Sequence, residues 1–240
     1  MSITIVIPTY NEADNLPVLA LELMALPLPD IRLLVVDDNS PDGTGQTMEE
    51  MKSDFPGRVD VHHRAGKLGL GTAYIEGFEI ALKAGANYIV QMDADFSHPP
   101  EKIPVLYATL NADNLDVVLG SRYVPGGGVD VDWPLWRKSL SRFGSFYART
   151  ILGLPVRDVT GGFRMWRRDA LEKIPLERVF SNGYTFQVEM IYLAHKLGLK
   201  FGETPFYFAD RKWGASKMSF AIQIEAAIRT WQLLWRYQDL

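Results

Sequence analysis

The stretch "YIVQMDADFSHPP", residues 88–100, carries an apolar run into Asp93 and Asp95, then Ser97, His98 and two prolines. Similar runs recur along the first half of the chain: "ITIVIP" at 3–8, "IRLLVVDD" at 31–38, "VDVHH" at 59–63 and "DVVLGSRY" at 116–123. They are nearly continuous in Val, Ile and Leu, the pattern of strands buried on both faces. Helical patterns fill the gaps near 14–25, 44–54, 70–84 and 100–111. The second opens at the turn-rich "SPDGTG"; the third follows "KLGLGT" and ends at Gly85. This alternation predicts βαβ units, hence an α/β fold with a mostly parallel sheet flanked by helices.

Residues 133–240 are less regular. The spacing predicts a helix near 135–152, a "TGGFR" turn and strand, a helix near 184–197 and a strand near 199–208. A last helix over 218–237 places Phe220, Ile224, Ile228, Trp231 and Trp235 at helical spacing. No linker-like stretch divides the 240 residues, so a single domain is expected.

Composition fits a soluble globular protein: 47% hydrophobic and 22% charged residues. The net charge of −4 gives no case for nucleic acid. With no cysteine there is neither a disulfide framework nor a thiolate metal site, which fits the cytosol. "ITIVI" lacks the length and basic flank of a signal peptide, and no apolar run approaches a membrane span. The charge is unevenly spread. Residues 1–60 carry 3 basic and 11 acidic side chains, whereas 133–169 carry 8 basic and 2 acidic. Such separation can offer a basic wall to an anionic ligand.

In open α/β sheets ligands bind beyond the carboxyl ends of the strands. Those ends deliver Pro8, Tyr10, Asn11 and Glu12; Asp37, Asp38, Asn39, Ser40 and Asp42; Asp93 and Asp95; then Ser121 and Arg122. One strand end exiting into a polar turn is ordinary, but four together point to a shared site. Asp93-Ala94-Asp95 could hold a metal, move a proton or merely face water. Two hard oxygens so close repel unless a cation or proton intervenes, and Mg²⁺ commonly takes one or two carboxylates plus phosphate oxygens. The glycine-rich "HRAGKLGLGTAY" matches neither the dinucleotide fingerprint nor the Walker pattern. Gly69 and Gly71 read as tight-turn residues, with Lys67 either a ligand contact or a surface charge. His62, His63 and His98 read as structural.

"VIPTYNEADNLP", "VVDDNSPDGTG", "KLGLGTAY", "MDADFSHPP", "GSRYVPGGG", "TGGFR" and "DRKWGASKMS", taken in order, resemble the dolichol-phosphate mannosyltransferase type of family 2 glycosyltransferases. Polyprenol monophosphomannose synthase domains are especially similar. The resemblance runs from about Ile3 to Ser219. It implies a GT-A fold with donor and metal binding over about 1–125, the acceptor side over about 126–219 and a C-terminal amphipathic helix over 220–240. It implies GDP-mannose as donor and a polyprenyl phosphate as acceptor. Pro8, Tyr10 and Glu12 would touch the nucleotide, and Val36 and Asp38 its base. Asp93 and Asp95 would bind Mg²⁺ or Mn²⁺ at the diphosphate, with the Ala94 backbone close by. Arg122 would approach the donor or the transferred phosphate region, while Arg137, Ser141, Arg211 and Lys217 match acceptor-side motifs. Ser97 stands where some members have a glutamine as a further metal ligand.

The chemistry suits those roles. A divalent ion and nearby cations stabilise charge building on a leaving diphosphate. A phosphate monoester acceptor is already an anion and needs no strong general base. Direct displacement with inversion is the mechanism expected, and the basic stretch from Arg137 to Arg168 would let two phosphates approach. Within it Arg149, Arg167 and Arg168 read as solvated surface charges. Trp133, Leu135 and Trp136 beside Arg137 and Lys138 read as an interfacial element. The 218–237 helix either packs on the domain or meets a membrane. Peripheral attachment at the cytoplasmic face, with or without a separate membrane-anchor protein, follows from the lipid acceptor. Three other readings compete: the same transfer from a UDP-sugar such as UDP-glucose, a sugar nucleotidyltransferase, and a non-catalytic nucleotide-sugar sensor. The absence of a glycine-rich N-terminal triphosphate loop disfavours the nucleotidyltransferase. Asp93, Asp95, Arg122 and Lys217 together disfavour the sensor.

Overall fold

The structure is a computed structural model and describes residues 2–209 and 220–240. In chain order its elements are β1 (Ile3–Thr9), α1 (Leu16–Met24), β2 (Ile31–Asp37), α2 (Thr44–Met51), β3 (Val59–His63), α3 (Leu70–Lys83) and β4 (Tyr88–Gln91). Then come α4 (Ile103–Ala112), β5 (Val117–Ser121), β6 (Gly128–Val129), α5 (Leu135–Leu152), β7 (Arg164–Arg167) and α6 (Arg168–Lys173). The chain finishes with α7 (Tyr184–Lys196), β8 (Phe201–Pro205), β9 (Tyr207–Phe208) and α8 (Phe220–Arg236). Seven strands form one sheet in the order β3-β2-β1-β4-β7-β5-β8, and β6 pairs with β9 beside it.

The unbroken apolar strands are explained by two cores, one on each face. Ile3, Ile5 and Ile7 alternate with Val6, so period-2 geometry sends them to opposite sides. The first set joins Leu33 and Val35 against Leu16, Leu19 and Leu23 of α1 and Ile103, Leu106 and Leu110 of α4. Val6 joins Leu34 and Val36 against Tyr74 and Phe78 of α3 and Phe186 and Met190 of α7. Every pairing in the main sheet is parallel except those of β7, which runs antiparallel between β4 and β5. Arg164 is the register partner of both Gln91 and Leu119. Inserting β7 there carries the Gly161-Gly162 turn up to the end of β4, where the paired carboxylates begin.

Two expectations about arginines are overturned. Arg167 is not a solvated charge: it donates to the carbonyls of Leu115 (2.6 Å) and Leu110 (2.9 Å). Arg168 donates to the carbonyl of Leu82 at 2.9 Å. Both satisfy carbonyls at or beyond the C-terminal ends of α4 and α3, where a helix leaves acceptors unpaired and favours positive charge.

Helix α3 lies close on β1 and β2 because Gly77 has no side chain. A Cβ there would sit 2.4 Å from Val6 Cγ1 and 3.0 Å from Val36 Cγ2. Overpacking of this kind typically costs about 1–3 kcal/mol. Gly77→Ala is expected to lower the urea midpoint by a corresponding amount with an unchanged m-value, checked by equilibrium unfolding.

Candidate active site

The carboxylate pair sits in a tight loop after β4 whose shape is set by short-range bonds. The Asp93 N–H donates to Nδ1 of His98 at 2.9 Å. The buried His98 ring stacks on Phe163 with centroids 5.1 Å apart, and burial pushes its pKa down, so the neutral imidazole serves as the acceptor. The Tyr74 hydroxyl donates to the Met92 carbonyl at 3.0 Å and to Asp93 Oδ1 at 3.3 Å. Burial pushes the Tyr74 hydroxyl pKa well up, and the Asp93 charge pushes it further, so it stays a donor. Asp95 Oδ1 accepts from the Ser97 amide at 3.1 Å and from its hydroxyl at 2.6 Å. Ser97, fully buried, therefore orients the second carboxylate. Phe96 adopts φ +61°, the left-handed region that L-residues avoid at a cost of about 1 kcal/mol or more.

Gly162 closes this loop from the β7 side. A Cβ there would lie 3.4 Å from His98 Cε1 and 3.6 Å from Asp93 Oδ1. Among the described residues no cluster of three or more His, Cys, Asp or Glu side chains could hold a metal unaided. The donor set here is two carboxylates and a buried serine. That set fits a hard divalent ion which completes its shell with phosphate oxygens and water.

The ends of β1 and β2 lie on the other side of β4. Asp37 is buried and accepts from the Thr9 hydroxyl (3.2 Å) and from the Ser40 amide (3.1 Å) and hydroxyl (2.5 Å), so it braces two loops. The Glu12 amide donates to the Thr44 hydroxyl at 2.9 Å, and its carboxylate accepts from Asn15 at 2.7 Å. Pro8 is half-buried in β1, and the Tyr10 ring lies beneath Lys67 Nζ at 4.1 Å from its centroid. The Val36 side chain is fully buried in the core, which leaves only its backbone for a ligand. Asp38 is buried and ion-paired with Arg64, a residue the sequence reading did not single out. Its one signal was position: a lone arginine between a strand end and a glycine-rich loop.

Arg122, at the end of β5, is held by Asp158. Its Nε and Nη2 donate to the two carboxylate oxygens at 2.7 Å each, and its own amide donates to Oδ2 at 2.9 Å. Burial pushes the Asp158 pKa up, but the charge and hydrogen bonds of Arg122 outweigh that and hold it below the usual carboxylate value. Asp158 is a lone acid in a basic stretch, and that isolation was the readable signal. Arg164 is also fully buried: Nη2 donates to the Val159 carbonyl at 3.0 Å, while Nε and Nη1 have no partner. Burial lowers its pKa to about 9.

From Arg122 a ladder of cations and rings leads to Arg137, and Ser141 sits beside it. Its guanidinium lies 5.1 Å from the Tyr123 ring and 5.4 Å from Phe208. Phe208 meets Trp133 edge-on at 5.6 Å, and the Arg137 guanidinium stacks 3.6 Å from the Trp133 ring. Ser141 hydrogen-bonds the Tyr123 hydroxyl at 2.7 Å. Trp133 is thus buried, which corrects its assignment to an interfacial element; Leu135 and Trp136 are exposed. The basic wall also narrows, because Arg164 is buried and Arg167 and Arg168 are tied to backbone carbonyls. Arg137, Lys138, Arg142 and Arg149 of α5 remain. Arg211 and Lys217 lie outside the described residues.

The family model for glycosyl transferase family 2 matches residues 4–175. The chain belongs to glycosyl transferase family 2. It is 45% identical over 215 residues to polyprenol monophosphomannose synthase of Mycolicibacterium smegmatis, covering 90% of this chain and 80% of that one. It is 44% identical over 242 residues to undecaprenyl-phosphate mannosyltransferase of Micrococcus luteus, covering 100% and 98%. Among solved structures, mannosyl-3-phosphoglycerate synthase of Rubrobacter xylanophilus superposes with a TM-score of 0.68 at 20% identity, covering 100% of this chain and 75% of that one. Glucosyl-3-phosphoglycerate synthase of Mycobacterium tuberculosis, in complex with Mn²⁺, UDP and glucosyl-3-phosphoglycerate, gives 0.66 at 18% identity, covering 98% and 79%. The fold is therefore GT-A and the protein is a glycosyltransferase, which sets aside the nucleotidyltransferase and sensor readings.

The Asp158 geometry has a pH signature. A carboxylate depressed in the folded state contributes stability above its unfolded value of about 3.9, and loses it as pH falls through the folded value. Asp158→Asn is expected to cost about 3 kcal/mol near neutral pH, since it strands the Arg122 guanidinium, whose side chain is 8% accessible. It should also flatten the fall in stability below about pH 4, as measured by urea unfolding across pH.

Proposed function

We propose that this glycosyltransferase moves mannose from GDP-mannose to a polyprenyl phosphate at a membrane surface. The observation that carries the lipid acceptor is the composition of α5. One helix bears both Arg137 and Ser141 and an exposed apolar row, with Trp136 68%, Phe143 58% and Phe146 58% accessible. Helix α8 extends that row. The Trp231 indole N–H donates to the Tyr147 hydroxyl at 2.9 Å, and Ile228 and Trp235 are exposed beside it. Of the 218–237 stripe, Ile228, Trp231 and Trp235 face outward, while Leu233 and Tyr237 pack inward. Basic residues Lys138, Arg142, Arg229 and Arg236 on the same two helices suit an anionic lipid surface. No described helix is long and apolar enough to cross a membrane. We place the enzyme peripherally at the cytoplasmic face, where a water-soluble donor and a lipid acceptor meet, with or without a separate membrane-anchor protein.

The sugar follows from the two relatives, whose names specify mannosyl transfer to polyprenyl carriers, and from coverage of this chain end to end by the second. A UDP-sugar donor is the competing reading, favoured by the UDP in the Mycobacterium tuberculosis complex. That complex also holds Mn²⁺, which supports Asp93 and Asp95 as carboxylates for Mg²⁺ or Mn²⁺ here. Such an ion would supply positive charge at the donor diphosphate. This chain's residues do the rest. Pro8, Tyr10, Glu12 and Asp38 hold the nucleoside, with the Ala94 backbone close to the diphosphate. Arg122 and Arg137, fixed at two ends of the aromatic ladder, bring the acceptor phosphate toward the anomeric carbon. Arg211 and Lys217 add acceptor-side cations. A phosphate oxygen of the acceptor forms the new bond to that carbon as its bond to the diphosphate oxygen breaks. The products are polyprenyl phosphate mannose and GDP, with inverted configuration. No proton need be removed, because the nucleophile is already an anion.

A labelled-donor panel with polyprenyl phosphate tests this directly. Label should enter lipid from GDP-mannose; label entering only from UDP-sugars contradicts the mannose assignment. Asp95→Ala should reduce transfer by on the order of 100-fold or more with an unchanged circular dichroism spectrum. Undiminished turnover there contradicts the metal assignment. Joint Trp136→Ser and Trp235→Ser substitution should weaken co-sedimentation with anionic vesicles by roughly 10-fold, given ~25 cal/mol per Å² of apolar area, while GDP binding holds.

A further inference from the structure

The donor-side cluster contains one charged group with no part in the chemistry above. Glu76, on α3, ties down Arg64. The five N–H donors of the Arg64 guanidinium can each be assigned. Nε donates to Glu76 Oε2 at 3.0 Å, and Nη2 donates to Glu76 Oε1 at 3.1 Å and to the Thr72 hydroxyl at 2.6 Å. Nη1 donates to Asp38 Oδ1 and, at 3.4 Å, to the Gly69 carbonyl. Thr72 and Glu76 are four residues apart and share one face of α3, so the helix presents both at once. The Arg64 side chain is only 1% accessible. Burial pushes the Glu76 carboxyl up, but its hydrogen bonds from Arg64 and His62 outweigh that and hold it below its usual value, so it is ionised at neutral pH.

This arrangement fixes two parts of the nucleoside region to one point. Asp38 is one. The glycine-rich loop is the other, caught at Gly69, where φ is +107° and a Cβ would sit 3.1 Å from Asn182 Oδ1. A planar guanidinium with its Nε and one Nη bound to a carboxylate can point the other Nη in only one direction. Glu76 therefore sets where Arg64 meets Asp38, although nothing places Glu76 itself against a ligand.

We propose that Glu76 is a positioning residue for donor affinity, acting through Arg64 on Asp38 and the 65–69 loop. The inference rests on the reading of Asp38 as a nucleoside contact. Loss of the charge should weaken binding of the nucleoside and leave the diphosphate end untouched, because Asp93 and Asp95 stand on a different strand.

The test is calorimetric titration of wild type, Glu76→Gln and Arg64→Lys with Mg²⁺–GDP and, separately, Mg²⁺–pyrophosphate. Glu76→Gln should raise the Kd for GDP by on the order of 10-fold, the scale of one charge-assisted hydrogen bond. It should leave pyrophosphate binding, and kcat at saturating donor, unchanged. Arg64→Lys, which cannot span the same acceptors, should lose more GDP affinity with the same pyrophosphate control. Unchanged GDP affinity in Glu76→Gln, or equal loss of GDP and pyrophosphate, overturns the proposal. A wild type that binds pyrophosphate but neither GDP nor UDP overturns the underlying nucleoside reading as well.

Discussion

Two carboxylates one residue apart at a strand end repel each other, and much of this molecule is arranged to keep them there. The Asp93 amide is held by His98, its carboxylate by Tyr74, and Asp95 by Ser97. The loop bends through Phe96 at a positive φ and is closed from the side by Gly162. These groups come from three places: α3, the "DFSHPP" turn and the approach to β7. The antiparallel insertion of β7 next to β4 is what brings the last of them into place. A cation is the natural counterpart of such a pair, and the diphosphate of a sugar nucleotide is its natural companion.

Charge is separated in the fold as it is in the sequence. Acidic side chains crowd the ends of β1, β2 and β4. Cations collect on α5, linked back through Trp133 and Phe208 to Arg122. The basic region is smaller than a count suggests, because several arginines have structural work. Asp158 balances Arg122, and Arg167 and Arg168 close helix ends. What remains on α5 includes half-buried Arg137 and Lys138 and exposed Arg142 beside an exposed aromatic row. That combination suits a phosphate on a lipid tail better than a soluble anion, which would need no aromatic row.

The strands and most helices were legible because period and run length report burial directly. The ends of β1, β2, β3 and α5 fall within a residue of the sequence reading. The place of β7 was not legible, since "TGGFR" says strand but not which neighbours it separates. Arg64 and Asp158 were missed for a related reason. Each looks like an ordinary surface charge until long-range contacts, 26 residues apart for Arg64–Asp38 and 36 for Arg122–Asp158, bring its partner near. Trp133 was misplaced because the aromatic-rich "WPLW" reads as one unit, whereas the chain buries its first tryptophan and exposes the second. The carboxylate pair itself was readable from one triplet and its position after an apolar run.

The central claim is that Asp93 and Asp95 hold a divalent ion jointly with the donor diphosphate. It is tested most directly by titrating Mn²⁺ into the protein with and without GDP, following free Mn²⁺ by electron paramagnetic resonance. Two carboxylates alone make a weak site, so binding should be slight without nucleotide and should tighten strongly when GDP supplies phosphate oxygens. Asp95→Asn should remove the GDP-dependent component. Mn²⁺ binding that ignores GDP, or that survives Asp95→Asn unchanged, would contradict the account.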